Sequence, residues 1–332
     1  MNMQKRTNII KNSQITGNNP IIDRLPNRKF GLNLQNFKSQ NNENSKPQSI
    51  PEKKRLDFEQ EYETINSKDS NNPCLVSEYQ QEIFKYLQKQ EQLNKIDYTY
   101  LLHQPEITSQ MRTVLVDWLV EIHLQFRLLP ETLHLTIYII DKYLSIKKIE
   151  KSQLYLLGIT SLYISSKYEE IYPPSIEQFI ETCDISQKEI LVFEGDILKN
   201  LNFKITVPTS YRFAIWYSRI GQLNTYDVCF VQYLLDLALG DYRYLKYPVS
   251  KIAASAVFLC NKIKKQTVAW NPLLKYDSGY SEQQLMDCVK DLIFSLKHVH
   301  ENNCQAIKKK YQREAFQRVG NIQLIDKRKK DE

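Results

Sequence analysis

Glycine is scarce in this chain: eight residues in 332, none of them grouped as GxGxxG or GxxxxGKS. Loops that cradle phosphates need backbone that glycine adopts most easily, so the common nucleotide-binding architectures are disfavoured. No GxSxG is present to form a nucleophile elbow. The six cysteines (Cys74, Cys183, Cys229, Cys260, Cys288, Cys304) contain no CxxC pair, and the five histidines form no HExxH. That argues against a zinc site or a disulfide framework, and thiols in a reducing compartment act as small hydrophobes. No apolar run approaches the roughly 20 residues of a membrane span, and MNMQKRTNIIKNSQ lacks the apolar stretch of a secretory signal. The expectation is a non-catalytic chain of the nucleus and cytoplasm, with no cofactor, no metal and no membrane partner.

What is present is ordinary core-forming material, 42% hydrophobic and 25% charged, with a formal charge of +7. The Lys and Arg residues are spread along the chain and concentrated at its ends without interleaved aromatics, so no direct nucleic-acid partner is expected. Residues 1–75 are rich in Asn, Gln, Ser and Lys and show no sustained apolar period, which predicts a disordered regulatory tail. From Val76 the pattern becomes amphipathic and helical, and the NG or DG signals of β-hairpins are missing. The fold class expected is all-α.

Prolines punctuate the helices: Pro130, Pro173 with Pro174, Pro208 and Pro248 each precede an apolar-periodic run. The spacing predicts helices near 77–90, 108–127, 131–146, 151–169, 175–183 and 186–201. A second set is predicted near 209–219, 225–240, 248–264, 281–296 and 300–315. The two sets align, because LYLLGITSLYISSKYEE (154–170) overlays VSKIAASAVFLCNKIKK (249–265) without a gap. Small residues at these spacings let neighbouring helices approach closely, which makes each segment the central helix of its own bundle. A tandem repeat of one bundle of about five helices follows. The units expected are the tail to residue 75, bundles over 76–205 and 206–318, and a basic tail over 319–332.

The stretch MRTVLVDWLVEI (111–122) is nearly saturated with apolar side chains yet carries Arg112, Asp117 and Glu121. A charge in such a helix must be paired, or must face a surface reserved for something else. MRTVLVDWLVEI, LLPETLHLTIYIIDKYLS, SSKYEEIYPPSIEQF and DILKNLNFKI, in that order, resemble the cyclin box of mitotic cyclins. LKYPVSKIAASAVFL and GYSEQQL resemble the second box, and HLQFRLLPETL with YSRIG leans toward the B type.

The resemblance implies a regulatory subunit that binds and activates a cyclin-dependent kinase as a heterodimer. The five defining positions of the box have counterparts in Arg112, Asp141, Leu156, Lys167 and Glu194. Arg112 and Asp141 would form a buried structural ion pair. Lys167 and Glu194 would bind main-chain groups around the kinase's regulatory helix, with Tyr168, Leu198, Tyr79 and Ile83 supplying apolar contact. Met111, Val114, Leu115, Trp118, Glu121, Leu154 and Tyr155 would form a patch for substrates or inhibitors carrying Arg-x-Leu motifs, Tyr155 standing where many relatives have glutamine. Asp117 is given only a local role. RKFGLNLQN (28–36) resembles a destruction box for a ubiquitin ligase through Arg28, Leu32 and Asn36, with the leucine one place late. KRLDF (54–58) resembles the docking motif itself. The competing readings are a cyclin-fold transcription scaffold, which would carry a zinc ribbon absent here, and a cyclin-like binding protein that activates no kinase.

Overall fold

A computed structural model describes residues 29–32, 52–68, 76, 79–264, 266–301 and 304–326. Thirteen α-helices stand among them. In chain order these are α1 (Glu52–Lys68), α2 (Gln80–Leu93), α3 (Ser109–Gln125), α4 (Pro130–Ile146), α5 (Leu154–Glu169), α6 (Ile176–Cys183) and α7 (Gln187–Asn200). Then come α8 (Ser210–Ile220), α9 (Thr225–Gly240), α10 (Val249–Ile263), α11 (Pro272–Ser278), α12 (Glu282–His298) and α13 (Ala306–Tyr311). Two short strands, β1 (Lys29–Leu32) and β2 (Gln323–Asp326), pair in parallel.

The helices carry their own start signals. Reciprocal capping boxes join Ser175 to Gln178, Ser186 to Glu189, Asn224 to Asp227 and Ser281 to Gln284. Each satisfies two backbone donors that a helix start leaves open. Pro130 and Pro272 occupy first-turn positions, where a missing N–H costs nothing.

Helices α3, α4, α6 and α7 surround α5, while α8, α9 and α12 surround α10 and α11 packs against α8. The small residues explain why these two are central. On α5, Thr160, Ser161, Ser165 and Ser166 are fully buried, as are Ala253, Ala254 and Ala256 on α10. At Gly158 an added Cβ would lie 2.7 Å from Leu115 Cδ1, so α3 and α5 touch where a side chain would separate them. Helix α2 packs on the second bundle, with Phe84 against Phe213, Trp216 and Tyr217. Its Glu91 accepts from the Ser250 N–H and hydroxyl, both at 2.7 Å.

The structure departs from the sequence expectations in five places. Strands β1 and β2 lie inside the two stretches expected to be tails. Helix α1 lies inside the stretch expected to be disordered, with Tyr62 and Ile65 buried. Helix α11 is bracketed by Asn271, Pro272 and Gly279, whose φ of 72° ends it. The expected 300–315 helix is shortened to α13, since Gln317 and Arg318 take left-handed backbone and Gly320 folds against the Lys308 carbonyl. Finally, Val319 and Ile322 are buried, so the second bundle extends past residue 318 into the supposed tail.

Polar groups join the bundles. Asp236 on α9 accepts from Lys310 Nζ (2.8 Å) and the Tyr311 hydroxyl (3.0 Å), and lies 3.4 Å from His134 Nε2 on α4. Burial alone would favour its neutral form, but Lys310 and then His134 outweigh this and hold its pKa well below the carboxylate range. Close by, His123 Nε2 donates to the Leu129 carbonyl at 2.9 Å while Nδ1 is buried with no partner. Burial and then Lys310 press its pKa down to about 4.

The native state therefore binds fewer protons than the unfolded chain between about pH 6.5 and about pH 4. Stability from a neutral His123 is complete above that window and declines as pH falls through it, by on the order of 3 kcal/mol. Urea unfolding across the window is expected to show a steeper pH slope for the wild type than for His123→Leu. Equal slopes would remove His123 as the source.

Candidate functional site

Arg112 and Asp141 meet as a two-point pair, Nε to Oδ1 and Nη2 to Oδ2, both at 2.7 Å. Both are buried, and the Tyr100 hydroxyl donates to Asp141 Oδ1 at 2.8 Å. Burial alone would favour losing the guanidinium proton, but Asp141 reverses that and raises the Arg112 pKa. The remaining arm, Nη1, donates to the Leu239 carbonyl of the second bundle at 2.9 Å. Thr113 repeats the gesture toward the Gly240 carbonyl at 3.0 Å.

Asp117 is also a bridge, contrary to the local role read from sequence. It accepts from the Ala306 N–H at 2.8 Å, which fixes α13 against α3. Burial lifts its pKa to about 6, with Glu121 adding to the rise and the Ala306 hydrogen bond opposing it. Two of the three charges on α3 are thus committed to architecture.

Lys167, in the last turn of α5, meets Glu194 on α7 at 2.5 Å, with side chains 39% and 14% exposed. Its ammonium also lies 4.2 Å from the Tyr163 ring centroid. A pair this exposed contributes only about 0–1 kcal/mol, so the fold does not depend on it. Leu198, one turn beyond Glu194 on α7, is half-buried against the first core. Tyr168 is exposed and its hydroxyl bonds Thr206 Oγ1 at 2.5 Å. Tyr79 and Ile83 stand exposed on or beside α2. Sequence reasoning missed Ile171 and Tyr172, which follow α5 at 85% and 92% exposure. Their signal was available: large apolar residues beyond a helix end, immediately before Pro173 and Pro174, serve no helical face.

The proposed docking stripe divides. Leu115 and Leu154 are fully buried core, and Leu156 is half-buried against the same core. Trp118 is 7% exposed and lies beneath Tyr155, ring centroids 3.8 Å apart. Val114 is 40% exposed, and Met111, Glu121 and Tyr155 are partly exposed. The structure brings Trp118 and Tyr155 together and leaves Met111, Val114 and Glu121 on one accessible helical stripe, at spacings of three and seven. Of the degron residues, Arg28 and Asn36 lie outside the described residues, and Leu32 ends β1. KRLDF lies in α1, where Phe58 stacks on Tyr276 of the second bundle at 4.8 Å and so does not occupy the stripe on α3.

Residues 82–206 match the cyclin N-terminal domain and residues 208–324 the cyclin C-terminal domain. The chain is 38% identical over 265 residues to a G2/mitotic-specific cyclin-B of Marthasterias glacialis, covering 79% of this chain and 68% of the relative. This chain belongs to the cyclin family. A cyclin-B of Dictyostelium discoideum is 33% identical over 274 residues, 82% of this chain and 63% of that one. One of Hydra vulgaris is 36% identical over 267 residues, 80% and 73% respectively. In fold the cyclin also resembles a viral cyclin from herpesvirus saimiri, with a TM-score of 0.55 at 21% identity over 64% of this chain and 99% of the viral one. The sequence similarity is to B-type mitotic cyclins, and this cyclin is a regulatory chain of the cell cycle.

The buried pair yields a direct test. Arg112→Met leaves the Asp141 carboxylate buried without its cation and is expected to cost about 3–5 kcal/mol in chemical denaturation. Arg112→Met with Asp141→Leu removes both charges and is expected to cost less than the single change. A double variant less stable than the single would show that the charges stabilise in ways other than by pairing.

Proposed function

We propose that this cyclin binds and activates a cyclin-dependent protein kinase in mitosis, through a surface centred on Lys167 and Glu194. The observation that carries the reading is a donor and an acceptor held 2.5 Å apart at the surface, which the fold does not need. Uncovered Ile171 and Tyr172 directly follow the same helix. An ammonium and a carboxylate on adjacent helices can satisfy main-chain groups at the end of an incoming helix. Apolar neighbours supply the desolvated contact.

Activation is then conformational. A kinase requires its β3 lysine paired with a glutamate on the regulatory helix before the ATP phosphates are positioned. A rigid cyclin surface that binds only the inward position of that helix shifts the population toward the active state. The reacting groups and the nucleotide belong to the kinase.

Exchanging the charges by Lys167→Glu with Glu194→Lys lets the intramolecular pair re-form while reversing what it offers a partner. Kinase affinity is expected to fall at least about a hundred-fold, on the basis of ~1.5–3 kcal/mol for each charged hydrogen bond. Circular dichroism and melting should be unchanged. Normal kinase affinity in this variant would remove the pair from the interface.

The second part of the proposal is substrate recruitment on α3. Val114 and Met111 offer apolar contact, Trp118 under Tyr155 forms an aromatic wall, and Glu121 supplies a carboxylate for the arginine of an Arg-x-Leu peptide. Glu121→Gln is expected to weaken motif-bearing peptides by about 1–2 kcal/mol, near ten-fold, in fluorescence anisotropy. Phosphorylation of a short substrate lacking the motif should be unchanged. Equal losses for both substrates would place Glu121 in the fold and not in recruitment.

A further inference from the structure

Helix α1 presents one narrow stripe, Phe58, Tyr62 and Ile65, while Glu59, Gln60, Glu61, Glu63 and Thr64 face solvent. Phe58 and Tyr62 meet aromatic partners on the second bundle, and Ile65 is buried in the same hydrophobic cluster. Phe58 stacks on Tyr276, and the Tyr62 ring lies parallel to Trp216 at 6.3 Å. The Tyr62 hydroxyl donates to Asp277 Oδ1 at 2.5 Å, and Trp216 Nε1 donates to Oδ2. Along the same edge Arg219 Nη2 donates to Asn66 Oδ1 at 3.3 Å.

This receptor is demanding in a way that ordinary helix packing is not. Asp277 is partly buried, and each carboxylate oxygen is met by one donor, one from the bundle and one from α1. Removing α1 strips cover from Trp216 and leaves Oδ1 without the Tyr62 hydroxyl. An apolar helix of the same shape would not answer the carboxylate, so the slot distinguishes tyrosine from phenylalanine at one position.

The slot is coupled to α2. Trp216 stacks with Tyr62 and also with Phe84 of α2, the second at 5.7 Å. Gln88 of α2 donates to the Asp277 carbonyl at 3.1 Å. The groups that receive α1 are therefore the groups that seat α2, and α2 carries the exposed Tyr79 and Ile83 at its start.

We infer that the second bundle carries a helix-docking slot built from Trp216, Tyr276 and Asp277, that its occupant is the chain's own α1, and that occupancy positions α2 for the kinase. The kinase clause rests on the function proposed above; the slot and its coupling to α2 do not. With only three anchors on the helix, docking depends on the high effective concentration that the short connection from Lys68 to Gln80 provides. It is thus a contact that can open while both bundles stay folded.

The full-length chain tests this by hydrogen exchange read at 58–66 and at 80–93. Wild type should protect both regions. Phe58→Ala with Tyr62→Ala should lose protection at 58–66 and reduce it at 80–93, with the two bundle cores unchanged. A synthetic peptide of residues 52–68, added to that variant at about millimolar concentration to stand in for the tether, should restore protection over 80–93, and the same peptide carrying Tyr62→Phe should bind at least ten-fold more weakly. Kinase affinity should fall three- to ten-fold in the opened variant and recover with the wild-type peptide. Unprotected amides at 58–66 in the wild type, or unchanged protection over 80–93 in the opened variant, would overturn the slot. Equal binding of the two peptides would overturn the role of Asp277. Those arms contain no kinase, so they stand or fall apart from the Lys167 and Glu194 reading. Restored α2 protection without a change in kinase affinity would overturn the positioning clause alone.

Discussion

Arg112 uses both sides of its guanidinium. Nε and Nη2 hold Asp141 on α4, while Nη1 reaches across to the Leu239 carbonyl of the second bundle. The geometry of three helices converges on one planar cation. A buried pair of this kind is a poor source of net stability, because desolvating two charges consumes most of their attraction. Its use is as a specifier: α3 and α4 have one register at which the fork meets the carboxylate, and the two bundles one position at which the third arm is satisfied. Thr113 and Asp117 on the same helix add further crossings to Gly240 and Ala306.

That anchoring accounts for the division of labour along α3. The helix is apolar nearly all round because it is enclosed by α5 beneath and by α9 and α13 beside it. Arg112 and Asp117 face the enclosed sides, and Glu121 is the charge left on an accessible stripe. The surface around Lys167 and Glu194 is the reverse case. There, charge and exposed aromatic surface stand together without serving the core, at the end of α5, whose other faces are packed to contact distance at Gly158.

Much of this was legible in the sequence. Prolines and a 3.6-residue apolar period located the helices of both bundles except α11, and the small residues of 154–170 and 249–265 located the two central ones. Helix α1 was not legible, because Phe58, Tyr62 and Ile65 form a stripe one residue wide inside a polar run, and its partners are more than 150 residues away. Arg112 and Asp141 were paired only through family resemblance; nothing in their spacing selects one from the other. Periodicity placed Leu115 and Leu154 beside Met111 and Val114 but could not say which faced the core, since an apolar stripe reads the same from either side. The Asp117 contact to Ala306, 189 residues distant, left no local trace at all.

The reciprocal caps at Ser175, Ser186, Asn224 and Ser281 also bear on how the chain reaches this structure. Each closes within three residues, so helix starts form from neighbours at little loop-closure cost. The contacts that unite the bundles span 127 residues for Arg112 to Leu239 and 189 for Asp117 to Ala306, and α2 is held to the second bundle over 159 from Glu91 to Ser250. Until those close, a guanidinium arm and two carboxylates lack part of what their burial requires. A chain with one bundle folded and the other open therefore carries poorly satisfied charges on the face awaiting its partner, and the penalty on that intermediate ties the two bundles into a single cooperative transition.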